Sequence, residues 1–471
     1  MTYLLSPFHK LLNMIYNQKV IPEQWKTSRI IPLHKKGPKN KVENYRPISN
    51  LCAGSKIFER LILMRMNEFN QDTMFTRRQH GFRKQRSTIT AGKELQSILA
   101  QAMDRGDYAA VASLDLSAAF DVINVVELLR RLITMGIPQD IVGLLSNWLQ
   151  NRLAYVEIDS CCSEFFDVKA GTVQGSVLGP ILFNLYIRQL LVSHKPICFA
   201  DDGYYYVVNR SKEEAITELV AKIKGATDWL TASGMKVNIT KTEFTVFHKS
   251  LNCAGRIRIG VESIEARQDM GVLGIVFDNR LEWTKQVDKS ILRARQSSQA
   301  LRRIKNYFSE TEMNKLVTSL VFSRMYYGSE IWLIPNLKER HFNRLYSQSG
   351  RSLKLINKNL SYRALHVSFS RATPKIFSLY QTCVNYYDLL QSQAHLGVED
   401  RNLQKVTLND RRNKMLTFVR INRSRAGLNN ITNRLRSVTN MLDKNWINLS
   451  RDNFKSACKK HIIQSQLQLL G

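Results

Sequence analysis

The sequence predicts an α+β fold, in which a β-rich middle segment is flanked by helices. Residues 196–209, PICFADDGYYYVVN, place strand-favouring residues on both sides of an Asp-Gly turn signal, which predicts a β-hairpin with both aspartates at its turn. An apolar run within residues 108–122 predicts a buried strand that ends near Asp115. From Trp283 onward the patterns are helical, without strand-like segments.

The N-terminal part of the chain mixes helical and extended patterns. The basic loop HKKGPKNK follows the first predicted strand, and the segment QHGFRKQRST precedes a helix for which Ser87 and Thr88 form a capping turn. We predict helices over residues 4–26, 55–69 and 89–103, and a strand over residues 28–33.

The middle of the chain carries most of the predicted strands. A helix that begins at residue 125 is expected to close at Gly136, because glycine readily adopts the left-handed conformation of a helix end. Residues 171–187 contain an apolar helix start, and residues 178–190 are expected to be mostly core. We predict helices over residues 125–135, 138–150 and 212–233, and strands over residues 153–158, 165–172, 235–247 and 272–277.

Basic helices follow the predicted strands. After Trp283 one helical face is apolar or small, while lysines and arginines cover the rest, which predicts a helix that grips a nucleic-acid duplex. Residues 401–471 hold 15 basic and 3 acidic residues, a net charge of 15 − 3 = +12. The residues of the apolar face are Val287, Ile291, Ala294, Ser298 and Leu301.

The whole chain of 471 residues is strongly basic, with 69 Lys and Arg against 39 Asp and Glu and a formal charge of +30. Such an excess predicts a polyanionic partner, most often nucleic acid. Solubility is the alternative explanation, but it rarely requires so large an imbalance. The length suits about two or three domains with ordinary hydrophobic cores.

Asp115, Asp201 and Asp202 are the candidate catalytic and metal-binding residues. If the two strand ends converge, three carboxylates meet at one point, which is the requirement of a two-metal site for nucleotidyl transfer. Adjacent carboxylates repel each other unless a cation lies between them, and Mg²⁺ prefers carboxylate oxygens. An acidic turn that faces water is the alternative for the Asp201–Asp202 pair alone.

Three further segments carry candidate binding residues. Lys35 and Arg46 could hold a triphosphate, although a solvated basic loop would have the same composition. The segment QHGFRKQRST could grip a template strand, or could serve only to cap the helix that follows, and both can hold at once. Gly175, after Gln174, would let a base or another backbone approach closely. The candidate template-binding residues are Gly81, Phe82, Arg83 and Arg86.

Seven cysteines lack the short spacings of zinc or redox motifs, so we expect reduced, intracellular thiols. The N-terminus lacks a basic leader and a cleavage site, and no apolar run approaches about 18 residues, so we predict neither a signal peptide nor a membrane span.

Eight ordered motifs together resemble the reverse transcriptases of non-LTR retrotransposons over roughly residues 20–278. They are IPLHKKG, NYRPISN, SKIFERLI, QHGFRKQRST, LDLSAAFDVIN, GTVQGSVLGPILFNLYI, FADD and GMKVNITKTE. The resemblance implies a right-hand polymerase, with fingers over residues 1–107, a palm over 108–282, a helical thumb over 283–350 and a basic helical C-terminal region over 351–471. It also implies a cytoplasmic ribonucleoprotein that enters the nucleus for integration.

The same resemblance implies RNA-directed DNA synthesis from dNTPs, with an RNA template and a DNA primer or target. Two Mg²⁺ ions, or Mn²⁺ in their place, would be held by the three aspartates, with Asp115 and Asp201 binding both. The implied roles are an aromatic gate for Phe120, template and nucleotide contacts for Gln174 and Gly175, triphosphate contacts for Lys35 and Arg46, and protonation of pyrophosphate for Lys241. From composition alone, Phe120 could simply pack in the core.

The sequence also departs from the family pattern. No endonuclease segment is recognisable, so the chain resembles a truncated or internally initiated copy. The usual aspartate after LFNLYI is absent, and Gly203 follows FADD where a small hydroxyl residue is common. A group II intron maturase-like splicing cofactor and an inactive RNA-binding relic are the alternative functions. The intact carboxylates argue against the relic, and GPILFNLYI departs from the maturase pattern.

Overall fold

The computed structural model describes residues 2–68, 74–250, 253–334 and 337–362, and short pieces at 364–365, 374–375, 377–378, 380–381, 384 and 450–459. The α+β prediction is confirmed, because strands and helices form separate layers in these residues. Most of the predicted basic C-terminal region, including nearly all of residues 401–471, lies outside the described residues. Among the described helices, none is long and apolar enough to cross a bilayer.

The N-terminal lobe combines helices with a strand pair that joins three later strands in one sheet. Strand β1 pairs antiparallel with β2 and parallel with the later strand β4 (Arg152–Ile158). The strand order is therefore β2-β1-β4-β5, where β5 is Cys161–Cys162, and β6 (Phe166–Val168) also pairs with β4. The elements are α1 (Thr2–Gln18), α2 (Glu23–Lys26), β1 (Thr27–His34), β2 (Tyr45–Asn50), α3 (Ala53–Glu68) and α4 (Thr88–Arg105), with a 3-10 turn over Val42–Asn44.

Two predictions for this lobe need correction. The single helix predicted over residues 4–26 is two helices, since Lys19 has a left-handed φ of 58° and Pro22, which cannot donate an amide hydrogen bond, precedes α2. Strand β2 was not predicted, because Pro47 interrupts its pattern. Proline is tolerated there because β2 is the edge strand of its sheet.

The central sheet is antiparallel and has the strand order β7-β8-β3-β9. The predicted strands at residues 153–158 and 235–247 are confirmed, whereas the one predicted over 165–172 is much shorter. The elements of this region are β3 (Tyr108–Ser117), α5 (Val125–Thr134), α6 (Gln139–Leu149), β4 (Arg152–Ile158), β5 (Cys161–Cys162), β6 (Phe166–Val168), α7 (Gly179–Tyr186), α8 (Arg188–His194), β7 (Ile197–Phe199), β8 (Asp202–Asn209), α9 (Lys212–Ala232) and β9 (Lys236–Phe247).

The β7–β8 hairpin confirms the predicted hairpin but moves its turn by one residue. Phe199 pairs with Asp202, so the two turn residues are Ala200 and Asp201, and Ala200 has a φ of 55°. The expectation that both aspartates and the Asp-Gly signal form the turn is therefore wrong. Gly203 lies within β8, where it pairs with Leu114.

Strand β3 divides the hydrophobic core into two halves. Ala110, Ala112 and Leu114 face one cluster, which packs beneath α5 to α9. Ala109 and Val111, which point to the opposite side, belong to a second cluster together with α4 and the C-terminal helices. Alternation along a strand sends successive side chains to opposite faces, so the apolar run of β3 is explained by burial on both sides.

Two small hairpins and then helices follow the central sheet. The strand predicted over residues 272–277 is instead the hairpin β12–β13, whose turn is held from two sides. The Leu273 amide donates to Tyr204 Oη at 3.0 Å, and Tyr327 Oη donates to the Leu273 carbonyl at 3.0 Å. The strands are β10 (Arg256–Ile259), β11 (Glu262–Glu265), β12 (Asp269–Val272) and β13 (Ile275–Asp278).

The helical prediction after Trp283 is confirmed, since the described residues beyond it form no strand. All five residues of the predicted apolar face are buried. The elements are α10 (Thr284–Ile304), a 3-10 turn (Lys305–Tyr307), α11 (Glu310–Leu316), a π-helical turn (Val317–Phe322), α12 (Ser323–Met325), α13 (Ser329–Trp332) and α14 (Glu339–Leu353).

Candidate active site

The three predicted carboxylates converge where β3 ends and the β7–β8 turn begins. Leu114 pairs with Gly203, so the next position along this antiparallel pair sets Asp115 opposite Asp202. Burial, with the negative charges of Asp201 and Asp115, raises the pKa of Asp202 to about 6. Burial is also the main cause of the raised pKa of Asp201, to which Asp115 contributes. The structure thus places the three predicted carboxylates near one another, and their catalytic role stays a prediction.

Lys35 and Arg46 of the N-terminal lobe act on the same carboxylates. Their positive charges lower the pKa values of both Asp201 and Asp202, which partly offsets burial. The β1–β2 hairpin positions them, because Leu33 pairs with Arg46 and the Lys35 amide donates to the Asn44 carbonyl at 2.8 Å. Both side chains are exposed, as a phosphate-binding role would require.

Lys241 reaches the site from an irregularity in β9. Ser113 pairs with Glu243 whereas Asp115 pairs with Asn238, so residues 239–242 form a bulge opposite Leu114. Bulges re-aim side chains, and here Lys241 Nζ donates to Asp115 Oδ2 at 2.8 Å. The predicted residue is therefore at the site, paired with a candidate catalytic carboxylate.

The donor set fits hard divalent cations. Carboxylate oxygens are their preferred ligands, and a cation would relieve the repulsion that raises the pKa of Asp202. The described residues contain no group of three His, Cys, Asp or Glu side chains close enough to hold an ion as they stand. Instead, Lys241 compensates the charge of Asp115. The residues that would hold ions are Asp115, Asp201 and Asp202.

Gln79, which the sequence analysis missed, holds the β7–β8 turn by two hydrogen bonds. Its Nε2 donates to the Ala200 carbonyl at 3.1 Å, and its Oε1 accepts from the Ala200 amide at 2.9 Å. Gly81 is buried beside it, where a Cβ would lie 2.3 Å from the Ala200 nitrogen. The segment QHGF therefore packs against the β7–β8 turn. In the sequence, the glycine directly after the Gln-His pair was the signal that could have predicted this close contact.

The other candidate template residues lie in the same segment. Phe82 has a φ of 57° and a 48% exposed side chain. Arg83 Nη1 donates to the Thr76 carbonyl, just before this segment, and Arg86 is half-buried. Ser87 caps α4, which confirms the predicted capping turn. Template contact by these residues stays a prediction.

Phe120 lies on the turn that leaves β3, as predicted from its spacing to Asp115. Its ring stacks on Phe183 with centroids 4.5 Å apart and meets Phe82 edge-on at 6.1 Å. The side chain is half-buried. Packing and sugar selection are compatible roles for this geometry.

The loop that carries Gln174 and Gly175 is docked on the edge of β2. The Ser49 amide donates to the Gln174 carbonyl at 2.8 Å, and a Cβ at Gly175, whose φ is 113°, would lie 2.3 Å from the Ser49 carbonyl oxygen. Only glycine fits this close approach. The Gln174 Oε1 is buried and accepts no hydrogen bond from the described residues, so it is free for another donor.

Glu59, also missed from the sequence, anchors the same loop from α3. Its Oε2 accepts from the Val177 and Leu178 amides at 2.6 and 3.1 Å, just before α7. Burial is the main cause of its raised pKa, and the nearby Arg152 guanidinium opposes the shift. Both side chains are almost fully buried. A charged residue within an amphipathic helix gave no signal of this long-range contact.

The comparisons with known proteins agree with this geometry. Residues 33–277 match the family model described as reverse transcriptase (RNA-dependent DNA polymerase). The chain is 27% identical over 366 residues to the probable RNA-directed DNA polymerase from transposon BS of Drosophila melanogaster, covering 74% of this chain and 40% of that protein. It is 26% identical over 365 residues to the polymerase from mobile element jockey of the same species, with 74% and 39% covered.

The chain thus spans about 40% of the length of these curated relatives. A solved telomerase from Candida tropicalis, in complex with a fragment of telomeric RNA, shares 11% identity at a TM-score of 0.41, covering 79% of this chain and 65% of that one, which is a loose similarity. The family match covers more than half of the chain and includes all three candidate aspartates. The chain belongs to the reverse transcriptase family, and its resemblance to the enzymes of non-LTR retrotransposons is confirmed.

Proposed function

We propose that the chain extends the 3′-hydroxyl of a DNA primer with dNTPs on an RNA template. The observation that carries this proposal is the convergence of Asp115, Asp201 and Asp202 opposite Lys35 and Arg46. Negative ligands for cations facing two phosphate-binding side chains suit nucleotidyl transfer to a triphosphate. The RNA template, the primer and a nuclear site of action are parts of the same proposal.

The reaction joins the primer oxygen to the α-phosphorus and breaks the bond to the β-phosphate, with pyrophosphate leaving. Lys35 and Arg46 would hold the triphosphate, and Lys241 is the nearby proton donor for the leaving group. Bound divalent ions, Mg²⁺ or Mn²⁺, would lower the pKa of the primer hydroxyl and stabilise the leaving oxygen. Phe120 would lie beneath the sugar, and Gln174 and Gly175 would contact template and nucleotide.

Primer extension on a homopolymer RNA template, with and without Mg²⁺, tests the proposal. Asp115→Asn and Asp202→Asn should abolish extension while RNA binding and folding persist, since each removes a ligand and relieves charge repulsion. Asp228→Asn, at an exposed position of α9, is the matched control and should extend normally. Extension by either site variant at the wild-type rate would refute the assignment, and RNA binding without extension by the wild type would indicate a relic.

A further inference from the structure

A groove of about 450 Å³ lies on the sheet of the N-terminal lobe, apart from the carboxylates. Its walls come from three neighbouring strands and from the segments beside them. It combines an aromatic ring, two amides, a guanidinium and a thiol. The lining residues are Gln24, Thr27, Arg29, Asn50, Leu51, Cys52 and Tyr155.

The floor of the groove is one row across the sheet. Arg29 of β1 pairs with Asn50 of β2 on one side and with Tyr155 of β4 on the other. Residues that are directly paired across strands point to the same face, so the three side chains are neighbours. Their positions are fixed by strand pairing rather than by a loop.

The chemistry of this row suits a base better than a phosphate. Arg29 Nη1 is committed to Glu157, at 3.2 Å from both carboxylate oxygens, so its charge is compensated. Tyr155 is half-buried and braced edge-on by the 63% exposed Phe165, at a centroid distance of 5.3 Å. An aromatic face beside the Asn50 and Gln24 amides offers stacking and base-edge hydrogen bonds, which is how unpaired bases are bound.

The groove shares a sheet face with a residue of the active site. Arg46 and Asn50 are four positions apart on β2, and alternate residues of a strand face the same way. At about 3.3 Å per residue the separation is about 13 Å. Ile31 and Leu33, which are 43% and 59% exposed, extend this face along β1 and leave an open apolar path.

We propose that this groove binds an unpaired nucleotide of the template, ahead of the base that is being copied, by stacking it on Tyr155. The inference rests on the proposed function, because it identifies the groove's ligand as the single-stranded part of the same template. The amides of Asn50 and Gln24 contribute hydrogen bonds to the base edge. Arg29 keeps the row in place through its ion pair with Glu157.

A series of primed RNA templates tests the inference. The templates carry single-stranded 5′ overhangs of increasing length beyond the first templating base, and the apparent affinity is measured by single-nucleotide incorporation. The wild type should gain about tenfold in affinity once the overhang reaches the groove, as expected for one stacked base. Tyr155→Ala should lose this step while keeping its rate on the shortest overhang.

Three variants make the experiment specific. Tyr155→Phe keeps the ring and should retain most of the gain, and Tyr307→Ala removes an 84% exposed tyrosine of the 3-10 turn after α10 as a matched control. Cys52→Trp fills the groove from an exposed position, so it should remove the gain without deleting core packing, even if Tyr155→Ala fails to fold.

Wild-type extension without any dependence on overhang length would overturn the assignment of a template nucleotide to the groove and leave the polymerase proposal standing. Absence of extension on every template would overturn the proposed function itself.

Discussion

At the scale of single residues, the candidate active site holds three carboxylates close together, and nearby positive charges compensate their negative charges only in part. Asp115 has an ammonium partner in Lys241, whereas the charges that act on Asp202 include those of two other carboxylates, Asp201 and Asp115. The types and spacing of these residues were predictable from the sequence. The bond from Lys241 was not, because it depends on a bulge whose register is set by long-range pairing of β9 with β3.

We expect the unfavourable charge of Asp202 to appear as a pH dependence of stability. Its pKa in the folded protein, about 6, exceeds the ordinary value of 3.8. Its contribution to stability is therefore fully present below the ordinary value and is lost as the pH rises through about 6. Without divalent ions, the wild type should lose thermal stability between about pH 4 and pH 7, and Asp202→Asn should lose less. Thermal denaturation across this range measures the difference, and parallel curves would contradict it.

Phe120 provides a prediction about sugar selection. A ring beneath the sugar would clash with a 2′-hydroxyl and leave it without a hydrogen bond, so Phe120→Val should raise rNTP incorporation relative to dNTP by one or more orders of magnitude. Because the ring also stacks on Phe183, the variant should lose about 1 to 3 kcal/mol of stability. Steady-state kinetics with paired substrates decide between the roles: an unchanged ratio in a folded variant would leave only packing.

At the scale of elements, the candidate active site combines the β1–β2 hairpin of one sheet with strands β3, β8 and β9 of the central sheet. Helices α3, α4 and α10 and strands β3 and β9 follow plain periodicities, so the sequence predicted them well. Strands β2 and β10 to β12 were missed, because Pro47 interrupts the first and the others are four-residue strands in small hairpins. The contacts of Glu59 and Gln79 join residues more than a hundred positions apart, which no local pattern encodes.

Glu59 is expected to act as a positioning residue for the Gln174 loop. Glu59→Ala would leave two buried amides unpaired and the Arg152 charge uncompensated, which costs about 3 to 5 kcal/mol. Glu59→Gln keeps a carbonyl oxygen for the amides, so it should be destabilised less and should raise the KM for dNTP more than it lowers kcat. Urea denaturation and steady-state kinetics test this pair of variants. Equal stability loss in both would assign the effect to the charge alone.

At the scale of the whole molecule, the excess of positive charge is the dominant property. Helix α10 buries its apolar face and leaves Arg295, Arg302 and Arg303 exposed, consistent with a surface for a polyanion. The +30 charge was readable from composition, but its distribution over the surface depends on which helix faces are buried.

We expect the basic C-terminal segment to bind RNA phosphates without sequence preference. A chain that ends at residue 400 should bind RNA more weakly for all sequences, because each phosphate that the segment neutralises releases counterions. The slope of log affinity against log salt should flatten by about 0.7 for every single-strand phosphate that is no longer neutralised. Binding measured at several salt concentrations tests this, and an unchanged slope would assign the segment to solvated surface.

The β12–β13 turn at Leu273 connects the central sheet with the C-terminal helices. Tyr204, whose hydroxyl accepts from the Leu273 amide, lies two residues after Asp202 on β8, while Tyr327 holds the Leu273 carbonyl from the helical side. We therefore expect a shift of these helices to reach, through the backbone of the single residue Leu273, the strand that carries a candidate catalytic carboxylate. If the chain copies RNA as proposed, binding of the finished duplex and alignment for the next addition would be coupled, which would favour processive copying over repeated release and rebinding.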